Sequence, residues 1–257
     1  MSIWTEASHR RPLIVAHRGA SATTPENTLA AFHQAILDGA DAIEFDVRLT
    51  KDDEVVVIHD RTLHRTTDGS GFVNEKTLSE LKSLTAGAWF GKQFASETIP
   101  TLDEVFEEVR GRVGINIEMK AHKDEQRQLM LVDRCCQIIK RHRAENIVLL
   151  SSFHKRLIKK AKQLNCNIAA GLLFHRFQLL GRSPVRTAHR MGVEFIILGG
   201  TSLRKSIVRK SHEQEIQIGE YTINTSPRVH RALRFGVDAI FTDDPAFILH
   251  QLRFPQK

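Results

Sequence analysis

The chain has 257 residues, 41% of them hydrophobic and 26% charged, with a formal net charge of +7. That is an ordinary globular composition with room for one substantial core, and no apolar run reaches the roughly 18 residues a membrane-spanning helix needs. The basic excess would suit a nucleic acid, an anionic surface or an anionic substrate. With a single tyrosine and no interleaving of basic and aromatic residues, nucleic acid drops out.

In chain order, "MSIWTEASHRRPL" carries no apolar core ahead of its arginines, so no signal peptide is expected. "LIVA" is a first strand that runs directly into His17-Arg18-Gly19. After Pro25-Glu26-Asn27-Thr28, "TLAAFHQAILDG" (28–39) has helical spacing, with Asn27 as a good N-cap and Glu26 in a place to orient His17. "AIEFDV" and "EVVVIH" follow as strands separated only by "TKDDE", too short for a helix. Residues 60–100 are rich in Gly, Thr and Ser, with one short helical pattern, "KTLSELKSL". This stretch is too long for a simple loop and too poor in large apolar residues for its own core, so it is expected as a small insertion within a single domain spanning 1–257.

Beyond it, "GINIEM", "NIVLLS", "NIAAGLLF", "EFIILG", "IGEYTI" and "AIFTD" alternate with helical stretches such as 128–142 and 227–236. "KRLIKKAK" (155–162) reads as a helix whose lysines form a solvated face. Near-continuous β-branched runs alternating with helices imply parallel strands joined by right-handed crossovers. About eight such units favour an α/β closed (β/α)8 TIM barrel, with the insertion on its rim. Nine strand candidates are one too many. Either the second barrel strand lacks its covering helix, or 239–243 is the eighth strand and 54–59 is an extra one. Cys135, Cys136 and Cys166 include no Cys-x-x-Cys pair, which excludes a thiolate zinc site and a disulfide framework and fits the reducing cytoplasm.

In this architecture the chemistry sits at the C-terminal ends of the strands. There the sequence places His17 and Arg18, then Glu44 and Asp46, then His59 and Asp60, then Glu118 and Lys120. Residues two apart in a strand share a face, so Glu44 and Asp46 point together, as do Glu118 and Lys120. Three converging carboxylates need a positive neighbour. With all-oxygen donors the natural one is a hard divalent cation, Mg2+ or Ca2+, and salt bridges inside the barrel are the alternative. Arg18 and Lys120 suit either those salt bridges or a phosphate. His17 and His59 are either core histidines or a functional pair at matched strand ends.

"AHRGASATTPENTLAAF", "AIEFDVRLTKDDEVVVIHD", "TLHRTTDGSG", "IPTLDEVF", "NIEMK" and "LLSSF", in that order, resemble the successive motifs of the glycerophosphodiester phosphodiesterase family, bacterial cytoplasmic type. The likeness runs from about Leu13 to Pro245. It implies a barrel with an insertion after the His-Asp motif, Glu44, Asp46 and Glu118 as metal ligands, His17 and His59 as acid–base pair, and Arg18 and Lys120 on the phosphate. The family's Trp-Thr-Val-Asn run is here "EYTIN", which puts Tyr221 at the tryptophan position. Tyr221 and Phe153, at the end of "LLSSF", are the expected aromatic contributors to the pocket. Nothing carries over for 174–190.

The implied reaction is metal-dependent hydrolysis of a small-molecule glycerophosphodiester to glycerol 3-phosphate and an alcohol. The nucleophile is either the substrate's own 2-hydroxyl or water. A phospholipase acting on lysophospholipids or phosphoinositides, and a non-catalytic phosphoester-binding barrel, are the competing readings. The first lacks an apolar surface helix beside the site. The second conflicts with an intact set of histidines and carboxylates.

Overall fold

The computed structural model describes residues 2–5, 11–109, 111–164, 167–175, 178, 183–200 and 202–253, so Cys166 and part of 174–190 lie outside the described residues. The first half of the chain gives β1 (Leu13–His17), α1 (Leu29–Leu37), β2 (Ala42–Leu49), β3 (Val55–Val57), α2 (Leu78–Lys82), α3 (Leu102–Val109), β4 (Gly114–Met119) and α4 (Glu125–Arg141). The second half alternates strictly: β5 (Val148–Ser152), α5 (Lys155–Gln163), β6 (Ala169–Phe174), α6 (Pro184–Met191), β7 (Phe195–Gly199), α7 (Lys205–His212), β8 (Gln217–Tyr221), α8 (Ser226–Phe235), β9 (Ala239–Thr242) and α9 (Pro245–Arg253).

Strand pairing runs β1-β9-β8-β7-β6-β5-β4-β2, and β2 pairs back to β1. These eight strands are parallel and closed, the expected (β/α)8 barrel. β3 is the extra strand. It lies antiparallel on β2, with Val57 opposite Val47, because "TKDDE" folds as a tight reversal with Thr50 N–H donating to Glu54 O (3.0 Å). A turn that short permits a hairpin and forbids a parallel crossover. Of the two readings of the strand count, 239–243 is therefore the eighth strand. The second barrel strand does have its helix: α3, delayed by the excursion over 60–100, buries Leu102, Val105, Phe106 and Val109.

The barrel interior is filled by Leu13, Val15, Ala42, Leu149, Ala169, Leu173, Phe195, Ile197, Ala239 and Phe241. Trp4 plugs the end away from the strand C-termini. It is 1% exposed, meets Phe195 edge-on at 5.9 Å, and donates its indole N–H to Ile147 O (2.9 Å). The excursion is less coreless than its composition suggests. Leu63, Val73, Leu81, Ala86 and Ile99 form a satellite cluster on Val56 and Ile58, the outward side chains around β3. On α5, Leu157, Ile158 and Ala161 are buried, while Lys160 and Lys162 pair with Asp133 and Glu194. No helix among the described residues is long and apolar enough to cross a membrane.

Candidate active site

The turn after β1 explains the His-Arg-Gly sequence. Arg18 and Gly19 both have positive φ (57° and 82°). A Cβ at Gly19 would lie 2.6 Å from the Ala31 backbone, so only glycine lets this turn pack against α1. Pro25-Glu26-Asn27 then folds back over the turn. Asn27 does not cap α1, as its position suggested. Thr28 does, accepting from Ala31 N–H, because Asn27 sits at φ 60° and turns its amide inward to donate to Asp46 Oδ2 (2.9 Å).

Register brings the carboxylates together. His17 lies opposite Glu44 across β1 and β2, and Asp46 lies opposite Glu118 across β2 and β4. One carboxylate oxygen from each of Glu44, Asp46 and Glu118 lies within 4.8 Å of the others, and all three residues are buried. Arg18 N–H donates to Glu44 Oε2 (3.0 Å), Arg18 Nε lies 3.3 Å from Asp46 Oδ2, and Lys120 Nζ lies 2.8 Å from Asp46 Oδ1 and contacts Glu118. Arg18 and Lys120 thus line the cluster as the sequence expected, and both are ion-paired within it.

Burial, reinforced by the charges of Asp46 and Glu118, pushes the Glu44 carboxyl up to about 8. Burial and Asp46 raise Glu118 as well, against the pull of Lys120. Burial would also raise Asp46, but Lys120 and Arg18 outweigh it and hold that carboxyl well below the usual range. Lys120 and Arg18 thus outweigh burial at Asp46, whereas at Glu44 and Glu118 burial and the neighbouring carboxylates win. Beneath them, Asn116 is opposite Glu44 and Ser151 opposite Glu118. The side-chain polar atoms of both are buried without partners. An all-oxygen, anionic, buried donor set of this span fits a hard divalent cation.

The histidines flank the cluster, and each has an aspartate behind it. His17 Nδ1–H donates to Asp243 Oδ1 (2.7 Å), and Asp243 is itself held by Asn224 and Ser21. His59 Nδ1–H donates to Asp60 Oδ1 (2.6 Å). The His59 carbonyl accepts from Arg48 Nε and Nη2 (2.9 and 2.6 Å), which pins the turn. Both rings therefore keep Nε2 for a ligand. Burial would lower His17, but Asp243 and Glu44 outweigh it and raise its pKa. Burial, with Lys120 and Arg18 adding to it, lowers His59 despite Asp46 and Asp60.

Glu26 does not orient His17. It accepts from Arg18 Nη1 (2.8 Å) and from Arg65. Sequence reasoning missed Asp243, Asn224, Arg48 and Arg65. Arg48, Arg65 and Asn224 stand inside the runs "AIEFDVRLTKDDEVVVIHD", "TLHRTTDGSG" and "EYTIN", and Asp243 ends "AIFTD", but nothing local marks which of them reach the site. Across the mouth, Phe153 stacks on His175 (3.8 Å between ring centroids) and meets Tyr221 edge-on (6.2 Å). Tyr221 OH lies 3.1 Å from His175 Nδ1. The two expected aromatics do stand together, with a histidine that was not foreseen.

Known proteins share this sequence pattern and this fold. The family model for glycerophosphoryl diester phosphodiesterases matches residues 17–247. A glycerophosphodiester phosphodiesterase of Caldanaerobacter subterraneus subsp. tengcongensis is 36% identical over 248 residues, covering 95% of this chain and 98% of that one. Among solved structures, a phosphodiesterase of Oleispira antarctica in complex with its product sn-glycerol-3-phosphate superposes with a TM-score of 0.86 at 30% identity, covering 95% and 97% of the two chains. A glycerophosphodiester phosphodiesterase of Thermotoga maritima gives 0.78 at 29% identity, covering 95% and 99%. A family match over most of the chain and a relative of this identity over nearly all of both sequences lead to one assignment: the chain belongs to the glycerophosphoryl diester phosphodiesterase family.

Proposed function

We propose that the mouth hydrolyses small glycerophosphodiesters to glycerol 3-phosphate and an alcohol, with a divalent cation, Mg2+ or Ca2+, held by Glu44, Asp46 and Glu118. The carrying observation is the buried carboxylate trio between two histidines that each present a free Nε2. The relative solved with sn-glycerol-3-phosphate supports the product side.

The cation, when bound, offsets charge developing on the non-bridging phosphoryl oxygens. Arg18 and Lys120, already at the cluster, draw the anionic phosphate to it and fix its orientation. At Nε2 one histidine takes the proton of the nucleophile, and the other gives a proton to the departing alkoxide. Water as nucleophile yields glycerol 3-phosphate directly, whereas the substrate's 2-hydroxyl yields a cyclic phosphate that water then opens with the two histidine roles exchanged. Asp243 and Asp60 hold the rings in the tautomer this requires and stabilise the protonated form as it arises. Burial pushes the Cys135 thiol up to about 12 and leaves it inert, which suits the cytoplasm. Phosphorus NMR of glycerophosphocholine or glycerophosphoethanolamine incubated with the protein and Mg2+ or Ca2+ tests the reading. Glycerol 3-phosphate should accumulate with free alcohol, and an unchanged diester would refute it.

A further inference from the structure

Arg65 is not among the groups given a role in the reaction above. It lies in the excursion, with its side chain 43% exposed. Yet its guanidinium grips two carboxylates from different elements, each in a forked contact. Nη1 and Nη2 donate to Glu26 Oε2 and Oε1 (2.6 and 2.8 Å). Nε and Nη2 donate to Asp60 Oδ2 and Oδ1 (2.7 and 3.1 Å). The two oxygens that share Nη2 are the ones doing other work. Glu26 Oε1 holds Arg18 Nη1 at 2.8 Å, and Asp60 Oδ1 holds His59 Nδ1 at 2.6 Å. A continuous path of five polar atoms therefore runs Arg18 Nη1, Glu26 Oε1, Arg65 Nη2, Asp60 Oδ1, His59 Nδ1.

We propose that Arg65 is a positioning residue: by clamping Glu26 to Asp60 it fixes the phosphate-binding Arg18 against His59, although the two come from separate strand ends. The inference rests on the roles given above to Arg18 and His59. Without Arg65, two carboxylates would face each other with no cation between them. Each would then turn toward the nearest remaining donor and carry Arg18 or His59 with it. A lysine cannot replace the clamp, because a single ammonium has no fork to hold two carboxylates in fixed planes. The arrangement also gives the excursion a mechanical link to the chemistry, since Asp60 and Arg65 both lie within it.

The test uses Arg65→Ala and Arg65→Lys, with Arg209→Met as the control for loss of a surface arginine. Arg209 is 72% exposed and, among the described residues, its ion pair is with Glu213 at its own helix end. Arg65→Ala should lower kcat by about 10–100-fold, the scale for removing a group that orients active-site ligands, while its melting temperature stays close to wild type. Millimolar guanidinium should restore much of the lost turnover. Arg65→Lys should resemble the alanine variant, and Arg209→Met the wild type. NMR decides the point independently of turnover. In Arg65→Ala the ring resonances of His59 and the Nε–H resonance of Arg18 should both shift, while the ring of His17, held by Asp243, should not. If the wild-type protein failed to cleave diesters, the functional reading would fall and these resonances would still decide the positioning role. Unmoved His59 and Arg18 resonances, or turnover near wild type in Arg65→Ala, would overturn the proposal. So would a loss that guanidinium leaves untouched and that tracks unfolding.

Discussion

His17 and His59 each commit Nδ1 to an aspartate and keep Nε2 for the mouth, so both rings present the same nitrogen on either side of the carboxylates, with the pKa of His17 raised and that of His59 lowered. Replacing either by alanine should lower turnover by roughly 10²–10⁴-fold, the usual scale for a lost general acid or base, and leave cation binding intact. A nitrophenyl ester separates the roles, because its leaving group needs little protonation. The variant that lost the acid should recover on it, and the one that lost the base should not. If both variants instead bound cation poorly and recovered with excess cation, the histidines would be ligands. Among the carboxylates, Glu44→Gln or Glu118→Gln should cost about 10²–10³-fold, since a Lewis acid supplies several kcal/mol of charge stabilisation. Isothermal titration with Mg2+ or Ca2+ should show the matching loss of binding. The sequence shows these residues plainly, because each is a charged group at the end of an apolar strand. Asp243 also ends an apolar strand, but its partner is not legible, because it is separated from His17 by 226 positions. Asn27 misleads for a related reason. Its local sequence is that of a good capping residue, but the buried carboxylate of Asp46 across the barrel claims its amide.

Strand runs are legible because burial on both faces demands continuous apolar residues, and their order is enough to give a barrel. The helices read from spacing agree within a few positions: 28–39 was expected and α1 spans Leu29–Leu37, while 128–142 was expected and α4 spans Glu125–Arg141. What local pattern does not carry is pairing direction, which made β3 ambiguous, and the distant partner of a helix, which hid α3. That helix is short, and the excursion separates it from the strand it covers. Its own start signal is present: Thr101 Oγ1 accepts from Glu104 N–H (3.1 Å) while Glu104 Oε2 accepts from Thr101 N–H (2.7 Å). α3 is tied to α4 through Asp103, which accepts from His142 (2.7 Å) and Arg141 (2.5 Å). Burial would raise the Asp103 carboxyl, but those hydrogen bonds outweigh it and lower its pKa below 3.8. A carboxylate depressed by folding contributes stability above its unfolded pKa and loses it as pH falls through the folded value. Urea midpoints of wild type and Asp103→Asn should therefore differ steadily from about pH 5 to 7, by about 1 kcal/mol or less for so exposed a pair. The gap should close as pH falls below 3.8. A gap that persisted in acid would mean the carboxylate's charge is not what links the helices.

At the scale of the molecule, the two ends of the barrel do different work. One end carries the carboxylates and histidines, and the other is sealed by Trp4 against Phe195. Trp4→Ala should destabilise the fold by about 3–5 kcal/mol, as removal of a buried aromatic does, and leave KM of the folded fraction unchanged. An altered KM would show that the plug reaches the mouth. Whether a cation on Glu44, Asp46 and Glu118 drives glycerophosphodiester hydrolysis in this barrel is decided by one titration. Protein stripped by a chelator is incubated with glycerophosphocholine while Mg2+ or Ca2+ is added back, and choline and glycerol 3-phosphate are followed together. Both should appear in equal amounts, only as the cation is restored, and not with Glu44→Gln. Turnover that ignored the chelator, or no turnover with either cation, would show that a cation on these carboxylates does not drive the reaction.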